Sequence, residues 1–270
     1  MTGDRGWIPD DIDINRPSVA RMYDYALGGG HNLASDRAVF EQVLIILPNA
    51  REIAWTNRAF VRRAVLFMID NGIRQFLDLG SGIPTVGNVH EIAHKVDPSV
   101  RVVYVDCEDI AVAHSRLLLE GNKEATIIEA DIKRPKDILQ HPDALRLLDL
   151  DQPLGLLAFT VGHYIQPPDD VEEVFATYRD AVVVGSMLGI SHITGDFDRV
   201  AAGEVVATIK RAGNEGLHLR CKNEIQQLFG DFELVEPGLV PPCTWRPDNP
   251  PSPGMQPGDE GMWAGVAVKR

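Results

Sequence analysis

The sequence has little cysteine, no long apolar run and no excess of basic residues, and each shortage excludes a class of protein. Its three cysteines, Cys107, Cys221 and Cys243, lie far apart in the 270-residue chain, which argues against a disulfide framework or a zinc ribbon. No apolar run approaches the roughly 18 residues that a membrane-spanning helix needs. The polar, acidic start of the chain also differs from the basic and apolar pattern of a secretory signal peptide. We therefore expect a cytoplasmic protein without a membrane segment.

Basic residues are outnumbered by acidic ones, and the imbalance is uneven along the chain. The sequence contains 26 Lys and Arg against 39 Asp and Glu, a formal net charge of −13. It therefore lacks the clustered positive charge that binds nucleic-acid phosphates or anionic lipids. Residues 1–75 hold nine Arg, no Lys and nine acidic residues. The rest of the chain carries the whole net charge, which predicts two regions with different roles.

The apolar pattern changes at residue 73. Up to residue 72 the chain shows helical periodicity, whereas beyond it short apolar runs alternate with helical segments. Continuous apolar strands separated by helices are typical of a parallel sheet that is covered on both faces. We therefore predict a helical N-terminal extension over 1–72 and a doubly wound α/β domain over 73–270. The predicted strands are 74–79, 101–105, 125–129, 154–159, 182–190, 232–235 and 265–268, and helices near 85–96, 109–120, 135–148 and 170–181 separate the first five.

Acidic residues and glycines gather where the predicted strands end. The first strand leads through Asp78 into Gly80 and Gly82. The next two strands lead into Asp106 and Asp131. Ligands of such sheets bind outside the carboxyl ends of the strands, and glycines let the backbone approach them closely. We therefore expect these residues to line one binding site.

Two classes of cofactor are bound by a GxG loop together with a later acidic residue that accepts hydrogen bonds from the ribose hydroxyls. A nicotinamide dinucleotide favours a third glycine beneath its pyrophosphate, but Thr85 occupies that position and Asp78 would repel the phosphates. S-adenosylmethionine instead offers an ammonium group to Asp78 and a ribose to Asp106. Its adenine suits Asp131, with Ile132 against the ring. Each acid taken singly could be a helix cap or a solvated loop residue, but together they favour S-adenosylmethionine.

The same residues lie within longer motifs. The chain reads RPSVARMYDYALGG over 16–29, DLGSGIPT over 78–85 and VYVD over 103–106. These motifs resemble a bacterial family of Rossmann-like S-adenosylmethionine-dependent methyltransferases, formerly a domain family of unknown function, and the likeness extends over about residues 14–270. The resemblance implies a sheet of order 3-2-1-4-5-7-6 with the last strand antiparallel, S-adenosylmethionine as cofactor, and methyl transfer.

The end of the fourth predicted strand faces the transferred methyl group in this fold class. There, His163 is the first candidate for a general base and Tyr164 the second, because an imidazole can take a proton near neutral pH. Thr160 would lie between the cofactor and the acceptor. His163 could instead shape the pocket by hydrogen bonding to loop carbonyls, since methyl transfer depends more on aligned reactants than on a base.

The N-terminal extension carries aromatic residues on both sides of a glycine-rich turn. Tyr23, Tyr25 and His31 flank the glycines at 28–30. These residues predict one of two arrangements. Either they form a lid that places aromatic rings against the sulfonium group of S-adenosylmethionine, or they only pack the helix against the domain.

Four further residues are candidate cofactor ligands. Arg21 and Asn32 could hold the carboxylate of the methionine moiety. Cys107 would touch the adenosine because it follows the acid for ribose, and Ser81 lies between the two glycines of the loop.

A zinc-site motif competes with this interpretation. The segment His90-Glu91-Ile92-Ala93-His94 matches the HExxH pattern of helical zinc sites. The longer metzincin pattern fails, because Asp97 occupies the position of its glycine. We interpret the match as coincidental and predict no metal.

Three functions follow from these observations. The first is an S-adenosylmethionine-dependent methyltransferase that acts on an oxygen or nitrogen of a small molecule, without a nucleic-acid or membrane partner. The second is a non-catalytic S-adenosylmethionine-binding sensor or partner protein with the same pocket. The third, an NAD(P)-dependent oxidoreductase, is disfavoured by Thr85 and Asp78.

Overall fold

A computed structural model describes residues 13–84, 87–214, 216–249, 258 and 260–270. The Thr85 position, on which the argument against a dinucleotide partly rests, lies outside these ranges. Within them, none of the helices combines the length and the apolar character that crossing a membrane requires.

A seven-stranded sheet forms the centre of the molecule. Its strands are β1 (Gln75–Leu79), β2 (Arg101–Asp106), β3 (Ala125–Glu129), β4 (Gly155–Phe159), β5 (Met187–Ile193), β6 (Glu233–Leu234) and β7 (Met262–Val268). The order is β3-β2-β1-β4-β5-β7-β6. Strands β1 to β5 are parallel, and β7 is antiparallel to β5 and β6. This confirms the predicted doubly wound sheet and the strand order that the resemblance implies.

Helices form the N-terminal region and cover both faces of the sheet. They are α1 (Val19–Ala26), α2 (Ala34–Ile46), α3 (Ala50–Asp70), α4 (Val89–His94), α5 (Asp109–Leu118), α6 (Pro135–Leu139), α7 (Pro142–Leu147), α8 (Val171–Asp180), α9 (Arg199–Arg211) and α10 (Lys222–Gln227). The single helix predicted over 135–148 is in fact two, because Pro142 begins a new helix at its first turn, where its missing N–H breaks no hydrogen bond.

Neighbouring residues of the central strands enter hydrophobic cores on opposite faces of the sheet. In β1, Leu77 packs in one core with Leu156, whereas Phe76 packs in the other with Met68 of α3. All four side chains are fully buried. Helix α3 is therefore part of the core of the α/β domain and connects it to α1 and α2.

The fifth strand begins at Met187 and not at residue 182 as predicted. The apolar residues before it form a turn: Val182 is buried, whereas Val184 is 65% exposed. Gly185 has a φ of +90°, a conformation that ends the turn and suits glycine. The apolar character of this run reflects the packing of Val182 and not a strand.

A buried carboxylate, Asp36, organises the N-terminal helices. It accepts hydrogen bonds from the backbone N–H groups of Ser18 at 2.8 Å and Leu33 at 2.7 Å. It also forms an ion pair with Arg21, whose Nε lies 2.6 Å away. Both charged side chains are buried, and such groups are stable only when they are paired and hydrogen-bonded. Because Ser18 and Leu33 cap α1 and α2, Asp36 fixes the start of one helix against the start of the other.

Replacing Asp36 with Ala tests this role. The substitution leaves the Arg21 guanidinium buried without its partner, so we expect the free energy of unfolding to fall by about 3–5 kcal/mol, as measured by urea denaturation. Asp248→Ala is the control, because it breaks an exposed ion pair with Arg62 (2.9 Å) and should cost less than about 1 kcal/mol. Equally small losses in both variants would show that Asp36 does not organise the helices.

Candidate active site

A cavity of about 560 Å³ lies where β1, β2, β3 and β4 end. Asp78, Asp106 and Asp131 all line it, so the structure brings together the three acids that the sequence places at strand ends. The volume is within the range of about 300–1,000 Å³ that is typical of small-molecule sites. The other predicted ligands that line the cavity are Tyr23, Gly80, Ser81, Gly82, Cys107, Ile132, Thr160, His163 and Tyr164.

Asp78 is a buried acid at the end of β1. It is 8% exposed, and none of the described residues donates a hydrogen bond to its carboxyl group. Burial raises the pKa of Asp78 to about 7, the Arg58 guanidinium opposes the rise, and the Asp106 carboxylate adds to it. A nearby positive charge favours the ionised form of such an acid. This part of the cavity therefore suits a ligand with a cationic group.

Asp106 is hydrogen-bonded to the loops on both sides of the cavity. Its Oδ2 accepts from the backbone N–H of Gly82 at 2.7 Å, and its Oδ1 accepts from the N–H of Glu108 at 2.9 Å. Burial raises the pKa of Asp106, and these backbone donors lower it. Each carboxylate oxygen can accept a second hydrogen bond, so the group suits two adjacent hydroxyls such as those of a ribose.

Two glycines shape the loop after β1. Gly80 and Gly82 have φ values of +68° and +67°, which glycine adopts without steric cost. A Cβ on Gly80 would lie 2.2 Å from Cγ2 of Val161, so packing against the chain after β4 also requires glycine there. Between them, the N–H of Ser81 donates to the Val105 carbonyl at 3.0 Å. The loop therefore presents its backbone to the cavity in a fixed conformation.

Asp131 and Ile132 line the cavity beyond the end of β3. Asp131 accepts a hydrogen bond from the N–H of Lys133 at 2.9 Å, and its side chain is 36% exposed, so a ligand can reach it.

Partial desolvation and the carboxylates of Asp106 and Asp131 raise the pKa of Cys107 to about 12. The thiol therefore stays protonated and can border a ligand only as a neutral group.

A 3-10 turn, Gly162–Tyr164, follows β4 and carries the candidate base. Burial, His192 and Arg220 hold the pKa of His163 well below its usual range. Arg220 also fixes the turn, because it donates to the carbonyls of Gly162 at 2.9 Å and Ile165 at 2.7 Å. His163 is thus neutral and weakly basic, which favours a positioning role over that of a general base.

Thr160 and Tyr164 flank His163 at the cavity. Thr160 has a φ of +53°, an uncommon conformation that costs energy and is often found at functional sites. Its hydroxyl donates to the Phe159 carbonyl at 2.7 Å and its backbone N–H donates to the Ser191 carbonyl at 2.9 Å, so both of its donors are engaged within the fold. Burial raises the pKa of Tyr164 above its usual value, which keeps the phenol protonated and able to donate a hydrogen bond.

Two residues predicted as cofactor ligands hold the fold together instead. Arg21 is paired with Asp36. The Asn32 side chain donates to the Asp24 carboxylate and to the Gly29 carbonyl, both at 2.8 Å. Neither Arg21 nor Asn32 is among the residues that line the cavity. The structure therefore does not place them where they could hold the carboxylate of a cofactor.

Among the three aromatic residues predicted for a lid, Tyr23 lines the cavity and the other two do not. The Tyr25 ring lies 4.4 Å from the Arg51 guanidinium. The His31 ring lies against that of His114, with centroids 4.1 Å apart. Tyr25 and His31 therefore make packing contacts that hold the N-terminal extension in place, and the lid interpretation now depends on Tyr23.

Asn57, Arg58 and Glu108 are among the cavity residues that were not predicted from the sequence. Arg58 affects the pKa values of both Asp78 and Tyr23, which places its positive charge close to both side chains. Asn57 lies three residues after Ala54 on the buried face of α3, and a polar residue within an apolar stripe is a signal that could have identified it. Glu108 accepts a hydrogen bond from the Ser18 hydroxyl, a contact that no local pattern predicts.

Several buried polar atoms around the cavity have no hydrogen-bond partner in the described chain. They belong to residues that line it: Asn57 Oδ1, Arg58 Nε, Ser81 Oγ, His163 Nδ1 and Asn214 Nδ2. Because buried polar groups are normally satisfied, their concentration here indicates that a polar ligand belongs in the cavity.

The HExxH segment has a structural role. His90 Nδ1 lies 2.7 Å from the Tyr104 hydroxyl, and His94 Nε2 lies 2.8 Å from the Val100 carbonyl. Glu91 accepts a hydrogen bond from the Asn88 N–H at the start of α4. Each residue of the motif is thus engaged within the fold, and the described residues contain no group of His, Cys, Asp and Glu that could hold a metal ion.

Comparison with known proteins identifies a family whose sequences match this chain. The profile of a family described as S-adenosyl methyltransferase matches residues 5–270. A candidate methyltransferase from Thermobifida fusca is 39% identical, with a TM-score of 0.91 over 98% of this chain and 99% of its own. A DUF574 family protein from Streptomyces avermitilis is 34% identical, with a TM-score of 0.90 over 96% of this chain and 100% of its own.

More distant relatives share the fold alone. The plantazolicin methyltransferase BpumL, solved with S-adenosylhomocysteine, is 13% identical, with a TM-score of 0.52 over 93% of this chain and 95% of its own. No curated protein matches the chain.

The Asp78→Asn substitution tests whether burial of the charged Asp78 carboxylate lowers the stability of the fold. The folded pKa of about 7 lies above the ordinary value of 3.8, so the group costs stability as the pH rises from about 4 to 7. At pH 8 we expect D78N to be more stable than the unmodified protein by up to ~4 kcal/mol, and at pH 4 by much less. Urea denaturation of the ligand-free proteins at both pH values measures this.

The control for this comparison is Asp137→Asn, which changes an exposed acid on α6 and should leave stability nearly unchanged at both pH values. A D78N protein that is no more stable than the unmodified chain at pH 8 would show that the buried charge is already compensated.

Proposed function

Since the chain belongs to the S-adenosyl methyltransferase family and uses S-adenosylmethionine as its cofactor, we propose that it methylates an oxygen or nitrogen atom of a small molecule. The main support for this proposal is that a single cavity is lined both by three carboxylates at strand ends and by apolar side chains of helices. The carboxylates suit the cofactor, and the apolar wall leaves room for an acceptor beside it.

The methionine end of the cofactor would lie between Asp78 and Arg58. The Asp78 carboxylate accepts no hydrogen bond from the described residues, so an ammonium group would supply the positive charge that it needs. The Arg58 guanidinium, whose Nε has no partner among the described residues, suits the carboxylate of the same moiety. The Tyr23 ring would face the sulfonium, an attraction of about 0.5–2 kcal/mol. Arg58 thus takes the role that the sequence analysis gave to Arg21 and Asn32.

The adenosine end would lie along β2 and β3. Asp106 can accept hydrogen bonds from both ribose hydroxyls, because each carboxylate oxygen can accept more than one hydrogen bond. Asp131 is partly exposed and could accept from the adenine amino group, with Ile132 against the ring. Cys107 would border the adenosine as a neutral thiol.

The chain after β4 would orient the acceptor. When bound, S-adenosylmethionine supplies an electrophilic methyl group. Alignment of the reactants is the main requirement for its transfer, and the turn that carries His163 and Tyr164 is held in place by Arg220. Neutral His163 can accept a hydrogen bond from an acceptor hydroxyl or amine, and Tyr164 can donate one.

The N-terminal extension, which we propose to be residues 1–72, would close the cofactor site of a domain formed by 73–270. The Ser18 hydroxyl donates to Glu108, two residues beyond the acid proposed for ribose. Tyr23 lines the cavity from the same helix. Both contacts support a lid that lies over the cofactor.

Asp106→Ala removes the carboxylate proposed to bind the ribose. We expect the Kd for S-adenosylmethionine to rise at least ~10-fold, because hydrogen bonds to charged groups contribute about 1.5–3 kcal/mol. Isothermal titration calorimetry measures this, and turnover is followed by the release of S-adenosylhomocysteine in the presence of neutral phenols, alcohols and amines. Asp137→Ala is the matched control and should bind normally.

Different outcomes would contradict different parts of the proposal. Unchanged affinity in the Asp106 variant would remove this residue from the ribose site. Binding of NAD in preference to S-adenosylmethionine would overturn the cofactor assignment. Cofactor binding without release of S-adenosylhomocysteine across the whole panel would indicate a sensor and not an enzyme of small molecules.

A further inference from the structure

The cavity extends beyond the carboxylates into a space walled by α1, α2, α3 and α9. The side chains that form this wall are apolar, and we call the space that they enclose the apolar chamber. They are Met22, Ala26, Phe40, Val43, Ala50, Ala54 and Ile209.

The apolar chamber is not an ordinary part of the core. Its residues belong to a third hydrophobic cluster, separate from the two that flank the sheet. Protein cores are close-packed, with few voids larger than a water molecule. Here, by contrast, seven buried members of one small cluster border a cavity. Apolar residues that leave such a space between them indicate a site for an apolar ligand.

Of the seven charged residues among the described lining residues, six lie outside the four helices that wall the apolar chamber, and Arg58 lies on α3. Most are at the strand ends or on the loops that follow them. Arg58 acts on Asp78 at the end of β1, and Arg16 is exposed on the segment before α1, two residues from Ser18. The charged lining residues are Arg16, Arg58, Asp78, Asp106, Glu108, Asp131 and Lys133.

Two polar cavity residues that neighbour the chamber wall in sequence, Asn57 and Tyr23, are neutral and hydrogen-bonded to each other. The Asn57 side chain donates to the Tyr23 hydroxyl at 3.0 Å, and that hydroxyl lies 3.3 Å from the Ala54 carbonyl. A charged group placed against this wall would lose its hydration without gaining a partner, which is strongly unfavourable. The chamber therefore selects against charged ligands.

We propose that the methyl acceptor is an uncharged molecule with a hydrocarbon or aromatic body, and that this body lies in the apolar chamber. The inference rests on the proposed function, because it takes the strand-end carboxylates to be occupied by the cofactor. It goes further in naming the chemistry of the acceptor and the helices that recognise it.

A matched pair of fluorescent probes tests the charge preference. N-phenyl-1-naphthylamine is neutral, and 8-anilinonaphthalene-1-sulfonate has the same rings with one sulfonate added. Both are titrated into protein saturated with S-adenosylhomocysteine, so that the carboxylate part of the cavity is filled. We expect the neutral probe to bind at least ~10-fold more tightly, because the sulfonate cannot be paired in the chamber. Equal or tighter binding of the sulfonate would overturn the proposal.

Two filling substitutions locate the bound probe. Val43→Phe places a larger ring in the chamber from α2 and should weaken binding of the neutral probe at least ~10-fold, because an occupied space cannot also hold the ligand. Ile45→Phe is the control, since Ile45 lies on the same helix but is 82% exposed. Ala54→Leu fills the chamber from α3 and serves as the second variant if Val43→Phe lowers the melting temperature.

Binding of S-adenosylhomocysteine separates the two levels of the proposal. A failure of the unmodified protein to bind S-adenosylhomocysteine would count against the proposed function. Retention of this binding, together with probe binding that neither Val43→Phe nor Ala54→Leu reduces, would count against the apolar chamber alone.

Discussion

The structure depends on carboxylates that parallel strands carry to one edge of the sheet and that the fold then removes from water. A carboxylate in such a position needs donors or a cation. Asp106 has two backbone donors, Glu108 has the Ser18 hydroxyl, and Asp78 has no donor among the described residues. Asp78 is therefore the carboxylate that lacks compensation within the described part of the chain, and we propose that the cationic group of the cofactor supplies it. This constraint explains why an acidic protein keeps Arg58 close to Asp78 without pairing the two directly.

The N-terminal helices complete the cavity in a different way. Asp36 joins the starts of α1 and α2 through two backbone N–H groups and Arg21. With the helices fixed in this way, Tyr23 lines the cavity and Val43 its apolar chamber. Arg21 of the RPSVAR segment thus holds the helices in position and is not among the residues that line the cavity. Stability and function are linked, because the ion pair that stabilises the extension also shapes the proposed acceptor site.

Much of this arrangement could be predicted from local patterns. Continuous apolar strands between helices predicted the doubly wound sheet, and acids at strand ends predicted which side chains meet, because parallel strands end at one edge. The roles of Arg21 and Asn32 could not be predicted, since their partners, Asp36 and Asp24, depend on how the helices pack. Arg58 was missed for the same reason: its helix contributes both to the core and to the cavity wall. The start of the fifth strand was misplaced because the turn before it contains as many apolar residues as a strand.

The affinity for S-adenosylmethionine as a function of pH tests the central claim, that buried Asp78 binds the ammonium group of the cofactor. An α-ammonium group keeps its proton below about pH 7.7, so a change in affinity between pH 5.5 and 7 reports on the protein. If Asp78 must ionise from a pKa of about 7 before it binds, the Kd falls by about 10-fold per pH unit as the pH approaches 7, and D78N abolishes this dependence. A Kd that does not change with pH, or the same slope in D78N, would contradict the claim.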